Sequence, residues 1–355
     1  MAYFTKNGGA YIQSLIAASV ADGSRQITVS GNYEIEQTVL IPSDFTLILE
    51  NCHLTMADNT FCNMFTNESC RTEKGRTIEG CDRNIIIEGH GRVILDGGNY
   101  NGLCEWNSLK DGRPHISVNN MLLFTNVENF RISGLHIRHQ RWWAMNFIFC
   151  RHGKIRDIDF LSDATTVNPD GSRTTGISWS NYVGVYIKNA DGIDLRVGCH
   201  DIIIENITGF TEDDSIALTA LNGKVESIYG VEGLSTDLHN VIIRNVNTAS
   251  FCSMVRLLNQ GGTKLYNILI DGVVDASMGS PYMDRGGSSV RVGDQHVYRE
   301  RHSTREETFN ITIRNVASRA NAAVDLAGSI TNLTLDNIRG FDGCNCLVSN
   351  HATLY

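Results

Sequence analysis

Short runs in which aliphatic and polar residues alternate recur along most of the chain, each bounded by Asn, Asp or Gly. The pattern reads Asn84-Ile-Ile-Ile-Glu-Gly89, then Asn129-Phe-Arg-Ile-Ser-Gly134, Asp201-Ile-Ile-Ile-Glu-Asn206 and Asn240-Val-Ile-Ile-Arg-Asn245. It returns as Asn267-Ile-Leu-Ile-Asp-Gly272, Asn310-Ile-Thr-Ile-Arg-Asn315 and Asn332-Leu-Thr-Leu-Asp-Asn337. Each copy predicts a strand of about five residues with one face inward and one outward. A shorter strand follows several copies after a polar turn: Ile216-Ala-Leu218, Val255-Arg-Leu257, Val290-Arg-Val292 and Val324-Asp-Leu326. No amphipathic helical pattern alternates with these strands, which disfavours a doubly wound or barrel α/β fold.

Copies recur at roughly 22 to 27 residues or about double that, a period that marks a solenoid. The expected fold is all-β: a single-stranded, right-handed parallel β-helix over residues 1–355 as one domain. The repeated Asn should stack on its equivalent in the next coil as a ladder. Residues 1–25 should cap the first coil, with a helix over about 9 to 22, because terminal repeats need a cover. Irregular inserts are expected at 58–80, 98–118 and 163–180, where a solenoid usually builds its binding walls.

Composition supports this picture: 33 Gly against 4 Pro suits strands separated by tight turns. The net charge is -9 and the Lys and Arg residues are dispersed. That pattern argues against a nucleic-acid partner held by phosphate contacts. No run of about 18 apolar residues appears, so no membrane span is expected. The first residues lack an apolar signal-peptide core, which predicts a cytoplasmic location unless a leader has been removed. Ten cysteines without a Cys-x-x-Cys pair read as reduced, packed thiols. No phosphate-binding Gly loop or clustered metal-ligand motif occurs, so no cofactor and no metal are expected. A homo-oligomer is compatible with the sequence.

Aligning the shorter strands by their inward residues places Ile193, Ile216, Val255 and Val290 in one column. Two positions earlier stand Asp191, Asp214, Ser253 and Ser288. One position before those stand Ala190, Asp213, Cys252 and Gly287. One position after the apolar column stand Asp194, Ala217, Arg256 and Arg291. Coils stack roughly 4.8 Å apart, so Asp191, Asp213 and Asp214 should converge. Carboxylates that close cannot all ionise freely, which raises at least one pKa and supplies an acid beside a base. Glycoside hydrolysis needs such a pair. Strict strand parity would turn Asp191 and Asp214 inward, so the chain must bend, for instance at Gly192 and Ser215.

These residues resemble glycoside hydrolase family 28, the polygalacturonases. Asn189-Ala-Asp191-Gly-Ile-Asp194 is similar to the family's Asn-x-Asp motif, and Glu212-Asp213-Asp214-Ser-Ile-Ala is similar to its Asp-Asp motif. Gly89-His-Gly91 with Leu95-Asp-Gly97 resembles an early Gly-rich turn of the family, and Ile137-Arg-His-Gln-Arg-Trp-Trp143 a segment leading to a site-lining Trp. The resemblance spans roughly residues 80 to 340. It implies a pectin-lyase-like β-helix, Asp214 as general acid alone or with Asp213, Asp191 activating water, and an inverting displacement. Two departures stand out. Cys252-Ser253-Met254 occupies the place of the family's Gly-His-Gly, and Arg291-Val-Gly293 that of its Arg-x-Lys. A substrate other than galacturonan becomes plausible, and His296, His139 and His115 are candidates for the missing imidazole.

The substrate-binding set expected from this reading is Arg291, Arg256, Trp142, Trp143, His139, Asn189 and Ser253, around an oligosaccharide or polysaccharide. The arginines would orient it by hydrogen bonds, and Trp142 or Trp143 would stack on a sugar face. The expected activity is glycosidic hydrolysis, acting on chain ends. A uronate lyase or epimerase, and a non-catalytic carbohydrate-binding module such as a tailspike element, are the competing classes.

Overall fold

In the computed structural model, residues 3–58, 60–98, 119–140, 143–162, 166–167, 173–174, 191–221, 226, 228–260, 262–281, 283–293 and 302–355 are described. Twenty strands hydrogen-bond into one continuous sheet that coils on itself as a right-handed parallel β-helix. Each coil gives one long strand to one wall and one shorter strand to a second wall. The long wall includes Val127–Arg138, Arg151–Leu161, His200–Thr211, Leu238–Ser250, Leu265–Asp275 and Thr308–Ser318, each paired in parallel with the next. The second wall runs through Trp143–Ile148, Asp191–Leu195, Ile216–Ala220, Ser253–Asn259, Ser288–Val292 and the first part of Ala322–Gly340. The rung height is visible in the stacked rings of His200, His239, Tyr266 and Phe309, whose successive centroids lie 4.8, 4.7 and 4.7 Å apart.

The interior is built as the alternation requires. Ile193, Ile216, Val255, Val290 and Val324 are all fully buried in one column. Each such side chain contributes on the order of 2 kcal/mol of transfer free energy. The capping helix forms over Gly8–Asp22 and seats Ile12 and Ile16 on the first coil's core.

The repeated Asn residues do two things at once. Asn84, Asn129, Asn240, Asn267, Asn310 and Asn332 all have φ between 54° and 58°, the left-handed conformation that Asn tolerates better than most residues. That conformation turns the corner into each long strand. Their side chains then hydrogen-bond from coil to coil: Asn129 to Asn84, Asn240 to Asp201, Asn267 to Asn240, Asn310 to Asn267 and Asn332 to Asn310. The expected ladder is therefore present.

One insert differs from expectation. Within 58–80, Phe65–Asn67 is a regular strand of the second wall, paired with Val39–Ile41 and Leu122–Thr125. Its Phe is fully buried, but three residues were too few to show an alternation. The inserts at 98–118 and 163–180 lie almost wholly outside the described residues. No disulfide joins the described cysteines. No described helix is long and apolar enough to cross a membrane.

Candidate active site

The register reproduces the columns read from the sequence. Ile193 pairs with Ile216, Ile216 with Val255, and Val255 with Val290. In the outward column Asp194 faces Ala217, Ala217 faces Arg256, Arg256 faces Arg291, and Arg291 faces Asp325. Asp191 and Asp214 lie one rung apart, since the Gly192 amide donates to the Asp214 carbonyl at 2.9 Å. The rungs approach closely at Gly192: a Cβ there would lie 2.3 Å from the Ser215 carbonyl oxygen. Glycine is required here by contact, not by a left-handed φ.

The parity problem is solved by bends at Glu212, Asp213 and Ser215, just before the Ile216–Ala220 strand. They turn Asp214 to the outer face, where Arg256 Nη1 stands 3.8 Å from its Oδ2. Asp191 pairs with Trp143. The Trp143 ring lies under the Arg196 guanidinium at 4.1 Å on that same outer side, and strand partners share a face, so Asp191 follows it.

Exposure separates the three acids. Asp191 and Asp214 are 7% and 6% exposed, while Asp213 is partly open to solvent. Asp213 is held from several sides: its Oδ1 accepts the Asp214 amide at 2.9 Å, and its carbonyl accepts the Thr211 and Ser250 hydroxyls, each at 2.7 Å. Burial pushes the Asp214 carboxyl up to about 7, Arg256 opposes this, and the neighbouring Asp213 charge adds to it. Asp214 is thus an acid poised near neutrality beside a second carboxyl. Asp194 is fully buried, and burial raises it well above the ordinary range despite Arg196.

Behind these groups lies an ion network that the sequence did not announce. Arg196 donates to Glu226 at 2.5 Å and reaches Asp194 at 3.3 Å, and all three are buried. Arg196 stands two residues past Asp194, a spacing with no signature of its own. Glu226 lies 30 residues further along the chain. Cys252 lies against the two acids, with donor atoms of Asp213, Asp214 and Cys252 all within 4.8 Å. Among the described residues this is the one trio with metal-ligand spacing. Burial first, then Asp213 and Asp214, raises the thiol well above its usual range. The thiol stays protonated and Arg256 faces Asp214, so protein groups already balance the charge that a cation would answer.

The expected binding residues differ in how open they are. Trp143 is 8% exposed, and one ring face is taken by Arg196, so that face cannot stack on a sugar. Ser253 is fully buried and accepts a hydrogen bond from the Ser288 hydroxyl at 3.3 Å, which leaves it no surface for a substrate. Arg256 is 6% exposed and paired with Asp214, while Arg291 is partly exposed with Nε 3.6 Å from Asp325. His139 pairs with Asp96 at 3.4 Å. Burial would raise Asp96, but hydrogen bonds from His139 and His53 hold it well below the carboxylate range. Trp142, Asn189, His115 and His296 lie outside the described residues.

The profile of the glycosyl hydrolases family 28 matches residues 30–235. The chain belongs to that family. As a family 28 glycoside hydrolase it acts on glycosidic bonds, and its family works on polysaccharides. No curated protein matches it. Among solved structures it is similar to a polygalacturonase from Erwinia carotovora ssp. carotovora, at 12% identity and a TM-score of 0.64, covering 100% of this chain and 95% of that one. A hyperthermoactive exopolygalacturonase from Thermotoga maritima shares 13% identity at a TM-score of 0.58, with coverage of 99% and 88%. A tailspike protein of E. coli bacteriophage HK620, solved with a pentasaccharide, shares 12% identity at a TM-score of 0.59. That match covers 97% of this family 28 chain and 61% of the tailspike. At these identities the structural likeness concerns the fold.

Proposed function

We propose that this enzyme hydrolyses an O-glycosidic bond of an oligo- or polysaccharide by carboxylate acid–base catalysis, in a single inverting displacement, acting on chain ends. The observation that carries the reading is the Asp213–Asp214 pair. One carboxyl is buried and poised at about 7, and the next is partly exposed, one rung from Asp191. Asp214, alone or with Asp213, protonates the leaving oxygen, and Asp191 activates the attacking water. Arg256 balances Asp214, and Arg291 orients the sugar from two rungs along the helix. With Arg291 also facing Asp325, the cationic end of the groove is partly neutralised, which favours neutral or mixed saccharides over a fully uronate chain.

The test is incubation of the purified protein with a panel of plant and microbial oligosaccharides, reading new reducing ends. Asp214→Asn should lower the rate by roughly 10²- to 10⁴-fold, as expected for loss of a general acid. The anomer formed first, read by proton NMR, reports inversion. Release of single terminal units reports action at chain ends. No product from any substrate, or equal rates in the variant, would defeat the reading. An unsaturated, ultraviolet-absorbing product would show elimination instead.

A further inference from the structure

The bend that turns Asp214 outward is fixed through one peptide group, the one joining Asp213 to Asp214. Its carbonyl accepts two hydroxyls, Thr211 Oγ1 and Ser250 Oγ, each at 2.7 Å. Thr211 and Ser250 are register partners on adjacent rungs. The carbonyl is therefore gripped from two coils, and both its lone pairs are filled. The amide of the same peptide donates to Asp213 Oδ1 at 2.9 Å. Each hydroxyl is itself held. Thr211 Oγ1 lies 2.8 Å from Ser215 Oγ, and because the Thr211 proton goes to the carbonyl, Ser215 is the donor there. Ser250 Oγ accepts the Cys252 amide at 3.0 Å. Thr211, Ser215 and Ser250 are all buried, so they act on the groove only through the peptide they hold.

We propose that Thr211 and Ser250 are positioning residues that clamp the Asp213–Asp214 peptide and so set the angle between the two carboxyls. Consecutive residues of a regular strand point to opposite faces. Carboxyl oxygens of Asp213 and Asp214 come within 4.8 Å of each other only while this peptide keeps its bent orientation. Two hydroxyls on the carbonyl also polarise the peptide, which strengthens the bond from its amide to Asp213 Oδ1. Ser215 aims Thr211, and the Cys252 amide aims Ser250, so the clamp is set by the backbone of two coils. The inference rests on the reading of Asp213 and Asp214 as the catalytic pair, but one arm of its test needs no turnover.

The first arm measures kinetics of the full chain on a saccharide that the wild type cleaves. Thr211→Val keeps the shape and removes the hydroxyl. It should lower kcat roughly 10- to 100-fold with KM within about twofold, as misplacement of reacting groups does. Ser250→Ala should do the same, and Thr211→Ser, which returns the hydroxyl, should recover most of the kcat. An unchanged kcat in Thr211→Val or Ser250→Ala overturns the clamp, as does a loss carried by KM, or a Thr211→Ser as impaired as Thr211→Val. The second arm follows exchange of the Asp214 amide proton by NMR in the deuterated full chain, against the Ile132 amide of the long wall. Exchange should quicken roughly tenfold in Thr211→Val and Ser250→Ala as the peptide loosens, and unchanged protection overturns the clamp. If Thr211→Val does not fold, Ser250→Ala decides both arms. Inactivity of the wild type on every saccharide would sink the hydrolase reading and leave the exchange measurement to decide the clamp.

Discussion

Asp214→Asn should lower turnover by roughly 10²- to 10⁴-fold and, above neutral pH, make the fold more stable. The unfolded chain ionises this carboxyl at its ordinary value of 3.8, and the folded chain at about 7. Between those values the native state holds a proton that the unfolded state has lost, so wild-type stability falls as pH rises through the window. The loss is complete above about pH 7. At about 1.4 kcal/mol per pH unit, the interval from 3.8 to about 7 corresponds to about 4 kcal/mol, an upper figure for the gain in the variant. Asn copies the shape of the protonated acid and carries no ionisation penalty, so the gain should be near zero at pH 4 and largest at pH 8. The assay is urea denaturation of both proteins at several pH values, comparing midpoints and slopes. A variant less stable than wild type at pH 8, or a difference that does not change between pH 4 and pH 8, would refute a buried acid held against its ionisation.

Arg256→Met removes the cation 3.8 Å from Asp214. The carboxyl should titrate higher and the pH-rate limb it governs should move upward, so a pH-rate profile with that limb unchanged counts against the pairing. Gly192→Ala would place a Cβ 2.3 Å from the Ser215 carbonyl. It should cost on the order of 2 kcal/mol, read as a lowered thermal midpoint, and cut activity at least tenfold by spreading the Asp191 and Asp214 rungs. Asn240→Ala loses both ladder hydrogen bonds and a tolerant residue at φ 55°. It should cost roughly 1–3 kcal/mol, and Asn240→Gly less, because glycine accepts the conformation; equal losses in denaturation would show that the side-chain bonds carry the whole effect.

The coil was readable because its demands are local. A strand that buries one face shows alternation, and a corner at positive φ asks for Asn or Gly, so Asn240-Val-Ile-Ile-Arg-Asn245 declares both its interior and its ends. Stacking then converts sequence repeats into spatial columns, which is why aligning Ile193, Ile216, Val255 and Val290 brings Asp191 near Asp214. Phe65–Asn67 escaped because three residues carry no periodicity.

The environment of those acids was not readable. Whether Asp214 faces the core or the outside depends on bends at Asp213 and Ser215, which parity alone forbids. Its acidity depends on how much water is excluded around it, a sum over neighbours from several rungs. Arg196 and Glu226 meet although 30 residues separate them in the chain, and the Arg196 guanidinium over one face of the Trp143 ring has no counterpart in the sequence pattern. The sequence by itself determined the solenoid, its rung-to-rung register and the acids that share a column. Only the tertiary structure decided burial, pairing and protonation, because those are set by contacts between residues far apart in the chain, and desolvation leaves no periodic mark.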